Sequence, residues 1–205
     1  MSDYFYQIDE ESHYEIKIKN SRFIAHINNI SSFEDSKSYI SQINSEFKDA
    51  THNCWAYILG KTGEMFHSSD DGEPSGTAGK PILNTLQKYK MTNTVAVVTR
   101  YYGGVKLGVR GLIEAYSESV EECIKNSIIK PIIEIQSYKI NLSYDKFDTV
   151  KYNLKNQDVE IKDIDYQDSI TFLAEVEKNK SEPINKYLEE LKNSNLLSFE
   201  YINNK

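Results

Sequence analysis

Two glycine-bearing segments hold most of the side chains in this sequence that could do chemistry. The first runs from Ser68 to Gly79 (SSDDGEPSGTAG) into Lys80-Pro81, so that Ser75, Gly76, Thr77 and Gly79 stand directly before a helix start. Glycines let backbone N–H groups converge, and a helix N-terminus adds unsatisfied donors and about half a positive charge. The segment therefore has the make-up of an anion site, with Lys80, Ser75 and Thr77 in support; a structural turn with a helix cap would use the same residues. It does not follow G-x-x-x-x-G-K-[ST], because Pro81 succeeds Lys80, so nucleotide hydrolysis of that type is not indicated. The second segment is Arg100-Tyr101-Tyr102-Gly103-Gly104-Val105-Lys106-Leu107-Gly108, with Arg110 just beyond. Arginine and tyrosine stack on unpaired bases and lysine meets phosphate, the mode in which single-stranded or loop RNA is held. The competing reading sends one tyrosine into the core, since successive strand residues face opposite ways, and pairs Arg100 with Asp70 or Asp71.

Three further sets come into view. Asp70, Asp71 and Glu73 put three carboxylates in four residues, the donor type for a hard cation such as Mg²⁺ or for acid and base work. No other clustered carboxylates complete a metal site, so Asx turns and pairing with Arg100 or Lys80 are the favoured reading of the three. His52 and Cys54 lie two apart near a strand start and so share a face, a loose arrangement for thiolate catalysis. Cysteine is among the most buried residue types, so a packed thiol with Trp55 pointing the other way is the expectation. His13, His26 and His67 have no recognisable partners.

The chain of 205 residues has 24 basic and 31 acidic side chains, a formal net charge of −7. That excludes a wholly basic nucleic-acid binder. The charge is segregated, however: residues 51–111 contain seven basic groups against four acidic ones and all nine glycines of the chain. With 39% hydrophobic and 27% charged residues the composition is that of a globular protein with a buried core. No apolar run reaches the length of a membrane span. The N-terminal run MSDYFYQIDEESHYEI is acidic and polar where a secretory signal needs a basic start and an apolar centre. Cytoplasmic residence, with no membrane partner and no cofactor, is therefore expected. Cys54 and Cys123 are too few and too far apart for a zinc cluster or a disulfide framework, and buried reduced thiols are expected.

The elements that must position these residues follow from periodicity. Tyr14–Lys19 and Arg22–Asn28 read as strands around an Asn20-Ser21 turn. Ser31 and Glu34 have capping-box spacing ahead of a helix over 32–48. Asn53–Leu59 and Glu64–His67 form a hairpin about Gly60–Gly63. A helix opens at Lys80-Pro81. The run Thr94–Tyr102 (TVAVVTRYY) reads as a strand covered on both faces, and a helix after Gly111 carries Leu112, Ile113, Tyr116, Val120, Cys123 and Ile124. Ser127–Ser137, with Pro131, reads as the passage between two domains, 1–134 and 135–205. The second has the order βαββαβ, the ferredoxin-like pattern: strand 138–143, a helix marked by Phe147, Val150 and Leu154, a hairpin of 159–166 and 169–176, a helix from Ser181, and strand 196–202.

Taken together, HNCWAYILG, DDGEPSGTAGKPIL, RYYGGVKLG and GLIEAYSESV resemble the YigZ/IMPACT family over roughly Arg22–Ile124, and the C-terminal unit resembles the extra domain of bacterial YigZ-like members. The resemblance implies an α+β protein: an N-terminal domain similar to ribosomal protein S5 domain 2 and elongation factor G domain IV, then a ferredoxin-like domain similar to domain V of that factor. It also implies a role in translation control, since eukaryotic IMPACT proteins are regulators that bind a ribosome-associated coactivator of a starvation kinase. Those proteins carry a different extra domain, so that partner is not transferred. The expected activity is non-enzymatic association with the ribosome or RNA, with a protein partner in translation control as a further expectation. Enzymatic action on a phosphorylated or nucleotide-like molecule, or a protein-binding module, are the alternatives. The chain departs from the family pattern after Gly108: Val109-Arg110-Gly111-Leu112 has Arg110 where a glycine is usual, and Glu114 stands near an expected arginine.

Overall fold

The computed structural model describes residues 4–202, and the chain divides at Ile132/Ile133 into two compact units. In the first, five strands form one antiparallel sheet: β2 (Ser12–Ile18), β3 (Ser21–Asn29), β4 (His52–Leu59), β5 (Met65–Ser69) and β6 (Thr94–Tyr101), in the order β2-β3-β6-β4-β5. β6 lies at the centre, and its apolar, β-branched run is buried at every position from Thr94 to Arg100, as expected of a strand covered on both faces. Helix α1 (Phe33–Glu46) lies on one face, where Ser36, Tyr39, Ile40 and Ile43 are its buried residues at helical spacing. They pack with Ile30, Leu59, Val95 and Val97. Helices α2 (Gly79–Lys88) and α3 (Gly108–Lys125) cover the other face. There Leu112, Ala115, Tyr116, Val120, Cys123 and Ile124 of α3 meet Phe23, Ala25, Ile27, Cys54 and Ala56.

Local signals are shifted by a residue or so from those read in the sequence. The β2–β3 turn is Lys19-Asn20, both at positive φ (45° and 66°), because Ile18 pairs with Ser21 and leaves a two-residue loop. The α1 cap is Ser32, which accepts from the Asp35 N–H at 3.1 Å, while Asp35 reaches past the cap to accept from the Ser31 N–H at 2.9 Å; the capping pair is Ser32 and Asp35, not Ser31 and Glu34. α3 starts at Gly108, four residues before the expected point. The passage between units also holds an unexpected ribbon: β1 (Phe5–Ile8) pairs antiparallel with β7 (Ile129–Ile132). Both cysteines are free and buried.

The second unit contains β8 (Ile135–Leu142), α4 (Tyr144–Lys155), β9 (Glu160–Tyr166), β10 (Ile170–Glu177), α5 (Ser181–Asn193) and β11 (Leu197–Ile202). The sheet order β11-β8-β10-β9, antiparallel throughout, is the ferredoxin-like arrangement. Alternate residues of β10, Ile170, Phe172, Ala174 and Val176, are buried with Phe147, Val150 and Leu154 of α4 and Ile184 and Leu188 of α5. Pro183 sits in the first turn of α5, where its missing N–H has no intrahelical partner to lose.

Candidate functional site

β4 and β6 bring His52 and Arg100 into register at the end of the sheet, and the segment after β5 returns over them. Glu73, on that segment, is buried and accepts from the Arg100 Nη1–H in a short ion pair and from the Tyr116 hydroxyl at 2.8 Å. The Nε2 of His52 lies 4.0 Å from the same Glu73 oxygen, and its Nδ1–H donates to the Asp71 carbonyl at 2.7 Å. The Cys54 sulfur sits 2.9 Å from the Asp70 carbonyl oxygen and 3.3 Å from the Tyr116 hydroxyl. Burial raises the pKa of both the Cys54 thiol and the Tyr116 phenol, so both stay protonated at neutral pH. Cys54 is therefore a packed donor, and no thiolate forms beside His52.

The three carboxylates of the first segment go three ways, which corrects the reading of them as one cation site. The Asp70 Oδ1 accepts from the N–H groups of Ala78 (3.0 Å) and Gly79 (2.8 Å), and its Oδ2 from Gly76 (2.8 Å). Partial burial opposes ionisation, but those three N–H groups outweigh it and hold the Asp70 carboxyl below its usual range. Asp71 accepts from the Asn53 N–H at 2.7 Å. Glu73 takes the Arg100 partnership expected for Asp70 or Asp71. Among the described residues no three His, Cys, Asp or Glu side chains converge as a metal site requires.

The anion site read at Ser75–Lys80 is corrected in the same way: the converging N–H groups are there, and Asp70 already fills them. Thr77 donates its hydroxyl to the Pro74 carbonyl at 2.6 Å. Gly79 is required by packing, since a Cβ there would come 2.7 Å from the Ser69 backbone. Ser75 and Lys80 are exposed.

The second segment is arranged differently. Arg100 is 5% exposed and lies over the rings of Phe23 and Tyr102, at 5.3 and 5.5 Å from their centroids. It is a buried ion-pair member, which corrects its reading as a surface cation. Tyr101 faces away from Arg100 and donates its hydroxyl to Asp49 at 3.0 Å. Gly103 packs on the β2–β3 turn, where a Cβ would come 2.1 Å from Asn20. Gly104 is exposed beside Val105. A cavity of about 500 Å³ opens here, lined by His52, Glu73, Pro74, Arg100 and Tyr102 and by Lys106 through Val109. It joins the two glycine-bearing segments through Glu73 and Pro74; Ser75–Lys80 do not line it. Tyr102 is 45% exposed. Lys106 has no ion-pair partner among the described residues. Gly108 opens α3 on the cavity wall, and neither a side-chain cap nor an acidic residue in the first turn occupies its N-terminal donors. Arg110 and Glu114, the two departures from the family pattern, pair with each other at 2.9 Å. The Nε of Arg100 has no hydrogen-bond partner.

Sequence reasoning missed Tyr116 and His52 as members of the Glu73 cluster. The i, i+2 spacing of His52 and Cys54 placed them on one face, but nothing local tied that face to a helix 60 residues onward.

A sheet sandwiched between helices, followed by a ferredoxin-like unit, sets the class as a two-unit mixed α/β protein. Residues 19–124 match the Impact N-terminal domain, and residues 140–193 match a domain of unknown function, DUF1949. The chain belongs to the IMPACT family. It is 34% identical to the IMPACT family member YvyE of Bacillus subtilis over 92% of this chain and 87% of that one. It is likewise 34% identical to the IMPACT family member YigZ of Escherichia coli over 74% of this chain and 75% of that one. A solved structure, described as the crystal structure of a hypothetical protein, aligns over 100% of both chains at 27% identity and a TM-score of 0.61. No helix among the described residues is long and apolar enough to cross a membrane.

Proposed function

We propose that this protein is a non-enzymatic RNA- or ribosome-associated factor in translation control that grips an unpaired, phosphate-bearing nucleotide in the cavity between Pro74 and Val109. The observation that carries the reading is the open N-terminus of α3, flanked by Lys106, on the wall of a cavity that also presents the half-exposed ring of Tyr102. A base stacks on Tyr102, and its phosphate meets the free N–H groups and Lys106. The acidic remainder of the chain opposes indiscriminate binding to nucleic acid.

The test is filter binding and ribosome co-sedimentation across a salt series. The Lys106→Ala, Tyr102→Ala double variant is expected to bind about tenfold more weakly, with a shallower salt dependence. Binding that is the same in both proteins, or no binding at low salt, overturns the reading. A second reading, a small phosphorylated or nucleotide-like ligand, is favoured by the unpartnered Nε of Arg100 at the same cavity. A rise in melting temperature with mononucleotides at micromolar concentration, without RNA binding, would select it.

A further inference from the structure

The opposite face of the first sheet holds a second cavity, of about 550 Å³, which the reading above does not use. Helix α1 packs over β4 and β6. Beside it, β2, β3 and the end of α1 enclose a space lined by Glu11, His13, Glu15, His26, Glu46 and Phe47, among others. His13 and Glu15 alternate along β2 and so share a face, and Glu11 stands directly before that strand. His13 is paired with His26 in the β2–β3 ladder, their rings 6.5 Å apart.

The charges in this cavity do not balance. Glu15 is neutralised by Arg22 at 2.8 Å, with Lys17 3.9 Å away as a second cation. Among the described residues, Glu11 receives only the neutral Tyr39 hydroxyl, at 2.8 Å. Glu46 has no ion-pair partner among the described residues. His26 is 7% exposed, its ring 4.7 Å from that of Phe47, and its Nε2 makes no hydrogen bond. Buried polar atoms of native proteins are nearly always partnered, so this one marks a place where a partner is wanted. Burial first, then the neighbouring His13, depress the His26 pKa to about 4. The imidazole is thus neutral at neutral pH and can offer a lone pair. Two uncompensated carboxylates, a neutral imidazole nitrogen and an aromatic face are all partners for N–H donors on a positive group. Among the described residues no three His, Cys, Asp or Glu side chains stand close enough together to chelate a metal ion, so a group large enough to reach several of these side chains across the cavity fits better.

We propose that this cavity binds an organic cation, a guanidinium or primary ammonium group, held between Glu11 and Glu46 with the Nε2 of His26 and the ring of Phe47 as further contacts. The volume admits such a group with its aliphatic stem. A free polyamine-like molecule and an arginine or lysine side chain offered by a protein share this chemistry.

The experiment is an NMR titration of the full chain, following the imidazole signals of His13 and His26, with agmatine, spermidine, a short peptide containing two arginines, and butylurea as a neutral analogue. Saturable shifts are expected with the cations and none with butylurea. The Glu11→Gln, Glu46→Gln double variant, whose side chains are exposed, should lose at least about tenfold in affinity at an unchanged melting temperature. The Lys17→Ala, Arg22→Ala double variant, which releases Glu15 from both of its cations, should tighten binding by about threefold. A peptide bound about tenfold more tightly than agmatine makes the source a protein side chain, and equal affinity makes it a free amine. The proposal falls if no cation gives a saturable shift below about 10 mM, if both variants bind as the parent does, or if Zn²⁺ saturates the site at lower concentration than every organic cation.

Discussion

Helices α2 and α3 start in the same way, each at the end of a glycine-bearing segment on the same face of one sheet, yet their N-termini meet opposite fates. At α2 the chain supplies its own anion: the Asp70 carboxylate accepts from Gly76, Ala78 and Gly79. At α3 the first turn contains no acidic residue and no capping side chain, and Lys106 and Arg110 flank it. Glycines before a helix thus describe a shape that welcomes an anion, while a carboxylate within reach decides whether that anion is internal. The closed segment acts as structure, fixing Glu73 over Arg100, and the open one keeps its N-terminal donors without a side-chain acceptor.

Breaking the closed side should cost most. Glu73→Gln leaves Arg100 buried without a countercharge, and urea unfolding is expected to show a loss of about 3–5 kcal/mol; an undiminished midpoint would mean that water reaches the pair. Asp70→Ala strips the acceptor from three N–H groups, for an expected loss of about 2–3 kcal/mol. In that variant added sulfate should restore part of the melting temperature, because the closed segment has been turned into an open one; indifference to sulfate would contradict the comparison. The same carboxyl sets an acid dependence. Its folded pKa lies below the ordinary value of 3.8, so its contribution is complete above about pH 4 and disappears as pH falls through the folded value. Asp70→Asn should flatten that limb of the stability curve. On the open side, Lys106→Ala should leave stability within about 0.5 kcal/mol and lower the slope of RNA binding against salt by about one. Smallest of all, Arg110→Ala removes an exposed pair with Glu114 and should leave the melting temperature where it was, with RNA affinity reporting whether that cation contributes at the α3 terminus.

Much of the architecture can be read from local pattern. TVAVVTRY could only be a strand buried on both sides, and the order of elements after Pro131 spelled a ferredoxin-like unit. The Cys54-Trp55 alternation correctly put the thiol and the indole on opposite faces. The family could be read from the two glycine-bearing motifs, and 34% identity over most of the chain agrees. Contacts decided by three-dimensional reach were harder. Asp70, Asp71 and Glu73 are nearly equivalent in sequence as partners for Arg100. The turn at Asp71 and Gly72, both at positive φ, selects the third of them. The β1–β7 ribbon escaped notice because its strands are four residues each, more than 100 residues apart, and one contains a proline. The cavity beside His26 escaped because its acidic wall comes from a strand edge and the far end of a helix.

That ribbon has a topological consequence. Phe5 stands opposite Ile132, so the chain enters and leaves the first unit at neighbouring points, about 5 Å apart as in any antiparallel pair. A unit whose two ends meet behaves as a transferable module. It can be hung from another domain by either end, or re-opened elsewhere as a circular permutant, without its sheet being rewired.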